Sequence, residues 1–249
     1  LATHKAFIHH VQLCISTGLS AVKGPGAVAE GLLRITMPGS FGRMYIIPAL
    51  AEFHARHPLV SLDLRLSDEV LDVVEGAYDL IIRNAPLADS RLILRQLAAD
   101  RRLLVASPTY LERHGIPATP DDLTAHQCVI LAENNRWQFA NGHTISAPRS
   151  FVVNDGEAMR KMLEQGMGIG IKSVWNASAS LKSGLLVEVL PEFPLITEAA
   201  IWLLYPSRRI IAPKVHAMID FLLERFQPVP PWEQSQDHTN HGQIDYYYQ

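Results

Sequence analysis

Residues 31–43 read GLLRITMPGSFGR, and how this stretch folds decides the rest. Residues 32–37 predict a short β-strand, broken at Pro38-Gly39, with a helix opening behind Ser40. A strand end, a glycine turn and a small hydroxyl residue at a helix start make a ready polar-ligand site. Free backbone N–H groups and the positive end of the helix dipole converge there. Many α/β units begin this way, so the weight of the motif rests on the segments around it.

Downstream the pattern is βαβ. Residues 44–56 predict a helix with Ile46, Ile47, Leu50 and Phe53 on one face and Pro48 in its first turn or at a kink. His57-Pro58 ends it, and 60–66, VSLDLRL, alternates as a strand. Ser67-Asp68-Glu69 caps a short helix to Glu75, and 78–82 is a third strand. Strands separated by helices of this size predict right-handed crossovers and a parallel sheet. Residues 92–97 and 103–106 then read as extended with no helix between them, which suits a crossover into a second unit.

The second unit opens with Ser107-Pro108 capping a helix. A strand near Cys128 follows, then a hairpin about Asn141-Gly142 carrying Trp137 and Phe139, and a strand at 151–153. Asn154-Asp155-Gly156-Glu157 repeats the opening arrangement: a strand end, a capping residue and a helix. Gly166, Gly168 and Gly170 follow a helix, so they read as a helix stop and a tight helix-to-strand join, not as a dinucleotide fingerprint. A helix from 173 to 182, extended runs at 185–190 and 199–205, and an amphipathic helix from Lys214 complete the plan. Ligands of open α/β sheets bind at the carboxyl ends of the strands, here the cleft between two hinged units.

Composition narrows the function. Of 249 residues 48% are hydrophobic and 19% charged, with 22 Lys and Arg against 25 Asp and Glu. That balance is ordinary for a globular protein and carries no basic block with which to grip nucleic acid by itself. Cys14 and Cys128 lie far apart in apolar runs and read as reduced and buried. No apolar run reaches the ~18 residues of a membrane span. The start imitates a signal peptide, but His9, His10 and Gln12 interrupt it. No G-x-S-x-G, H-E-x-x-H, C-x-x-C or P-loop occurs, and the terminal histidines His9, His10, His238 and His241 lack metal-binding partners. No catalytic residue, metal or cofactor is assigned. Arg83 and Asn84, after the third strand, suit a carboxylate or phosphate, with a salt bridge from Arg83 to Asp68 or Asp79 as the alternative. Trp137 and Phe139 either wall a pocket or pack the second core.

Residues 5–23 carry Ile8, Val11, Ile15 and Val22 at heptad-like spacing, ended by Gly24-Pro25-Gly26. They are a terminal helix docked on its own domain or half of a helix pair between subunits.

Several linked segments then resemble one family. They are GLLRITMPGSFGR, IPALAEFHARHPLVSLDLRLSDEVLDVVEGAYDLIIRNAPLADSRLILRQL, RLLVASPTYLERHGIPATPDDLTAHQCVIL, WQF, NDGEAMRKMLEQGMGIGI and YPSRRIIAPKVHAMIDFLLERF. Over residues 31–226 their order and spacing resemble the effector-binding domain of LysR-type transcriptional regulators. The resemblance implies two Rossmann-like subdomains joined by two crossover strands, a periplasmic-binding-protein-like α/β hinge of type II. On that pattern 31–100 and 205–227 form subdomain I, 101–204 form subdomain II, 1–30 are the remnant of a linker and dimerisation helix, and 228–249 are a disordered tail. A small effector, a carboxylate or an aromatic metabolite, would lie in the cleft. Ser40, Phe41, Gly42, Ser67, Arg83 and Asn84 would line one side, and Trp137, Phe139, Asn154 and Asp155 the other. The implied protein is cytoplasmic, a homodimer or homotetramer without membrane contact. It would reach promoter DNA only through a winged helix-turn-helix that lies outside these residues. One departure stands out: where the family follows G-I-G-I with apolar residues and Pro, this chain has Lys172-Ser173-Val174. A periplasmic solute-binding protein shares the hinged plan, and an enzyme on the same fold would need a paired acid and base in the cleft.

Overall fold

The computed structural model describes residues 28–67, 78–85, 92–132, 134–197, 199–206 and 211–234. The expected helix at 5–23, Cys14, the short helix after Ser67, the terminal histidines and residues 235–249 lie outside them.

Two sheets organise the chain. The first has five strands in the order β2-β1-β3-β12-β4: β1 (Gly31–Met37), β2 (Val60–Leu66), β3 (Leu80–Ala85), β4 (Leu92–Ala99) and β12 (Ala200–Pro206). Strands β2, β1 and β3 are parallel, as their crossovers require. The expected parallel sheet holds for these three strands and is interrupted by one strand beyond them: β12, lying between β3 and β4, runs antiparallel to both. The last strand comes back from the other sheet and not through a helix packed on this one, so no right-handed crossover dictates its direction.

The second sheet orders β10-β5-β11, all antiparallel, from β5 (Arg102–Ala106), β10 (Gly170–Ser173) and β11 (Val187–Val189). The parallel pair β6 (Val129–Leu131) and β9 (Phe151–Val153) joins it through a Cys128–Ile169 bridge. The predicted hairpin is β7 (Arg136–Gln138) with β8 (Thr144–Ser146). As a central strand β5 is buried on both faces: Leu104 and Ala106 enter one apolar cluster and Val105 the other.

Helices form as the sequence directs, with one physical exception. The helical run behind β1 is an α turn (Gly39–Phe41), a π segment (Gly42–Ile46), a 3-10 turn (Ile47–Ala49) and then helix α1 (Leu50–Arg56). Pro48 lacks the N–H an α-helix needs and its ring crowds the preceding turn, so the ladder is re-registered there. The re-registration turns Ile47 out to 43% exposure while Ile46, Ala49 and Phe53 stay buried. Helix α2 (Pro108–His114) is capped by the Ser107 side chain, which accepts from Tyr110 N. Helix α3 (Gly156–Glu164) is capped by Asp155, whose Oδ1 accepts from Glu157 N and Ala158 N. Helices α4 (Val174–Lys182) and α5 (Pro213–Phe226) complete the set.

The glycine run after α3 is the tight join that its position predicts. Gly168 has φ 151°, and a β-carbon there would stand 2.5 Å from the Gln127 carbonyl oxygen. Backbone of 127–129 and of the glycine run can therefore lie side by side, with Ile169 N bonded to Gln127 O at 2.9 Å.

The expected unstructured tail requires a correction for its first residues. Residues 231–234 form a turn and Trp232 is buried against Phe41, Tyr45 and Phe226. The polar, proline-containing composition of this stretch hid one aromatic large enough to fold it back.

Candidate functional site

A cavity of about 350 Å³ lies where the two sheets face each other. Its walls come from strand ends and helix starts on both sides, because those are the places where side chains and free N–H groups project beyond the sheets.

From the first sheet's side the lining includes Pro38, Ser40, Ser67, Arg83 and Asn84. Ser40 sits in the first helical turn after β1 but does not cap it; Pro38 is the cap position, and no side chain bonds there. The Ser40 hydroxyl is buried without a hydrogen-bond partner among the described residues. Asn84 Oδ1 is in the same condition. Arg83 is oriented by its Nη1, which donates to the Ile82 carbonyl at 2.9 Å. Asp79, one expected partner for Arg83, instead accepts from Arg34 N and from Lys214 Nζ, each at 2.9 Å.

From the other side come Trp137 on β7, Asn154 after β9, Gly156 at the start of α3, and Lys172 with Ser173 at the end of β10. Arg102, Trp175 and Asn176 close the wall. Arg102 Nε donates to Asp100 Oδ2 at 3.0 Å, and that oxygen also accepts from Ser173 Oγ at 3.1 Å. Asp100 is itself buried.

Ser40, Ser67, Arg83, Asn84, Trp137 and Asn154, all predicted from sequence, thus meet around one space. Four other candidates lie outside its lining. Phe41 is 1% exposed and packs edge-on against Trp175, with ring centroids 5.3 Å apart. Gly42 is buried beside Met37, whose Sδ would be 2.8 Å from a β-carbon at that position. Phe139 is fully buried in the second core. The Asp155 carboxylate is turned onto its own helix as the cap. Packing or capping claims each of these positions, and Ser40, Trp137, Asn154 and Gly156 reach the cavity instead.

Lys172, which the sequence marks only as a departure from the family pattern, lies in the cavity wall beside Arg102, Trp175 and Asn176, none of them expected there. It is 4% exposed, and its Nζ donates to the Gly156 carbonyl at 2.6 Å. Burial pushes its ammonium down to about 8, with further lowering from Arg160 and opposition from Asp155 and Asp100. A signal was available: strict alternation in β10 puts Lys172 on the same face as Gly170, which is pressed against Met159 of α3.

Among the described residues no group of three or more His, Cys, Asp or Glu could hold a metal ion. Burial pushes the Cys128 thiol up to about 12, which leaves it protonated and unreactive at neutral pH. No described helix is long and apolar enough to cross a membrane.

Two α/β units that meet around one cavity make a two-subdomain fold of the periplasmic-binding-protein-like class. Comparison with known sequences narrows this class to one family: residues 26–227 match the LysR substrate binding domain, and the chain belongs to that family. It is 34% identical over 206 residues to the HTH-type transcriptional regulator DmlR of Escherichia coli, covering 80% of this chain and 66% of that one. It is 31% identical to the probable HTH-type transcriptional regulator LtrA of Klebsiella pneumoniae, over 86% of this chain and 73% of that one. These matches thus span about two thirds of the regulators' length. Among solved structures, the regulatory domain of CrgA, a LysR-type transcriptional regulator from Neisseria meningitidis, superposes with a TM-score of 0.72 at 28% identity. That match covers 78% of this chain and 98% of that domain.

Proposed function

We propose that this chain is the effector-sensing part of a LysR-type transcriptional regulator, with no catalysis of its own. A small molecule would bind between the two units and bias a hinge equilibrium. Such a ligand shifts the equilibrium only by its differential affinity for the two hinge states. The observation that carries the reading is the convergence on one cavity, from both sides, of buried polar atoms that have no hydrogen-bond partner among the described residues. Ser40 Oγ and Asn84 Oδ1 come from one sheet's unit, and Trp175 Nε1 and Asn176 Oδ1 from the other. Buried polar groups left unmet cost about 1–3 kcal/mol each, so a ligand that satisfies both sets favours the closed arrangement.

On this reading Ser40, Ser67, Arg83, Asn84, Trp137 and Asn154 contact the effector. Residues 31–100 with 200–227 move as one subdomain and 101–199 as the other; the boundary expected at 205 moves back because β12 (Ala200–Pro206) pairs with β3 and β4 from its first residue. The regulator would be cytoplasmic and would act as a homodimer or homotetramer. It would meet promoter DNA through a winged helix-turn-helix outside these residues, as the regulator names of its relatives suggest. The same names favour a sensor over a solute-binding protein or an enzyme on this fold.

A thermal-shift screen of small carboxylates and aromatic metabolites tests this. A ligand at about 100 times its dissociation constant adds ~2.7 kcal/mol to stability, and Ser40→Ala and Arg83→Ala should each reduce that gain. A hit unaffected by either substitution, or no hit at all, counts against the cavity as the sensor site.

A further inference from the structure

Lys172 poses a question that the effector reading leaves open. It stands where the family pattern has apolar residues, it is 4% exposed, and it lines the cavity of about 350 Å³. Lysines are almost never fully buried unless paired. This one forms no ion pair among the described residues, and its Nζ donates to the Gly156 carbonyl at 2.6 Å. A lysine buried in this way spends part of its time as the neutral amine, and a neutral amine has a lone pair to give.

The surroundings suit that chemistry. A β-carbon on Gly156 would stand 3.7 Å from Lys172 Nζ and 3.7 Å from Ser40 Oγ. Because residue 156 has no side chain, the amine of the second unit and the hydroxyl of the first flank one open point. Ser40 Oγ is buried with no hydrogen-bond partner among the described residues, so it can donate to an oxygen that arrives there. Trp137, Met159, Ile171 and Trp175 supply apolar wall. Burial is the main cause that lowers the Lys172 ammonium; Arg160 and Arg102 act the same way, against Asp155 and Asp100. Desolvation and cationic neighbours are two means by which proteins turn a lysine into a nucleophile.

We propose that Lys172 is a nucleophilic lysine that captures an organic aldehyde in the cavity as a reversible imine. This rests on reading the cavity as a ligand site. The Nζ lone pair forms a bond to the carbonyl carbon, and the carbonyl π electrons move onto the oxygen, which the Ser40 hydroxyl polarises. That oxygen takes both protons of the neutral amine and leaves as water. Amine and aldehyde thus become imine and water, with nothing oxidised or reduced. The apolar wall holds the carbon skeleton and limits the water that reverses the step. An ester or thioester would acylate the same amine, but an amide does not come apart unaided, and a sensor's ligand must leave again. An imine hydrolyses back to lysine.

The test is to incubate the chain with benzaldehyde, a neutral probe, reduce with cyanoborohydride, and locate the benzyl groups by peptide mass mapping. With its ammonium held near 8, about a tenth of Lys172 is neutral at pH 7, against about one part in three thousand for a lysine at the ordinary 10.5. A less basic nucleophile is also a weaker one, which takes back roughly tenfold of that advantage. Lys172 should therefore be labelled at least tenfold faster at pH 7 than the exposed Lys161 and Lys182. The ratio, read within one sample, should fall at least tenfold from pH 8 to pH 10 as the exposed amines lose their protons. Ser40→Ala should slow the label on Lys172 severalfold and leave that pH dependence in place. Lys172→Arg, which keeps the charge, should abolish the fast label and leave Lys161 and Lys182 as in wild type. A Lys172 labelled no faster than Lys161, or a ratio that does not change with pH, overturns the proposal. A small molecule that stabilises wild type and Lys172→Arg alike, with Lys172 unlabelled, overturns the imine and leaves the sensor reading standing.

Discussion

Tyr45 donates its hydroxyl to the Trp175 carbonyl at 2.6 Å, joining the helical run behind β1 to helix α4, 130 residues later. Around that bond Phe41 meets Trp175 edge-on, and Arg43 pairs with Glu157 at 3.1 Å. The arginine pair is half exposed and contributes little. The half-buried tyrosine is the stronger tie, because partial burial raises its pKa and keeps it protonated as a donor. Tyr45→Phe keeps the ring and removes the donor. It should cost about 1 kcal/mol of stability in urea unfolding and raise hydrogen exchange in α4. An unchanged exchange pattern would show that the aromatic packing alone holds the two units together.

Lys172 makes a prediction about the ligand-free chain. Its folded value is lowered, so the ammonium destabilises the fold at every pH below about 8, and the penalty is relieved as pH rises toward 10.5. At about 1.4 kcal/mol per pH unit the buried charge costs on the order of 3 kcal/mol. Lys172→Met removes that cost but strips the Gly156 carbonyl of its donor, about 1 kcal/mol. The variant should therefore be roughly 2 kcal/mol more stable than wild type at pH 7, with the advantage gone by pH 10. Unfolding curves across that range are the measurement, and a pH-independent difference would contradict the burial of a charged group.

Much of this was legible in the sequence, for identifiable reasons. Strand β2 alternates, and the glycines at 166, 168 and 170 sit where a helix must stop and two backbones must touch. Serine and proline at 107 and 108 announce a helix start. What was missed depends on partners distant in sequence. Nothing near Phe41 reveals that Trp175 and Trp232 claim its ring, and nothing near Phe139 separates a cavity wall from a core. Asp155 could cap or bind, and its two amide bonds decide for the cap. The direction of β12 is set by the chain's return from the second sheet, which no local pattern encodes.

Gly168 offers a sharper test of the second unit. Its φ of 151° and the 2.5 Å approach of the Gln127 carbonyl leave no room for a methyl, and that neighbour is backbone. Gly168→Ala must break the Ile169–Gln127 bond or shift β10 away from β6. A loss of about 3 kcal/mol or more is expected, large for a single methyl and in the range of overpacking with backbone strain. Gly142→Ala makes the comparison: it also has positive φ, 86°, but nothing within 4 Å of the added carbon. It should cost only about 1 kcal/mol, from backbone strain alone. Equal losses would mean that conformation, not close approach, dictates glycine at 168.

Trp232 tests whether the residues past α5 belong to the fold. Its ring lies 5.0 Å from Tyr45 and 6.2 Å from Phe41, centroid to centroid, and it is 6% exposed. Removing it uncovers Phe226 and Tyr45, the residue that bonds to Trp175. Buried aromatics replaced by alanine in a rigid core cost 3–5 kcal/mol. A short terminal segment can relax, so Trp232→Ala should cost roughly 2 kcal/mol. Ending the chain after Gln227 should cost about the same, because Trp232 is the buried aromatic that the segment contributes. Fluorescence offers a second readout, since loss of the cluster should shift the emission of Trp175 toward the red. If the shortened chain melts with wild type and Trp175 emission is unmoved, the segment only rests on the surface and the expectation of an unstructured tail from 228 was right after all.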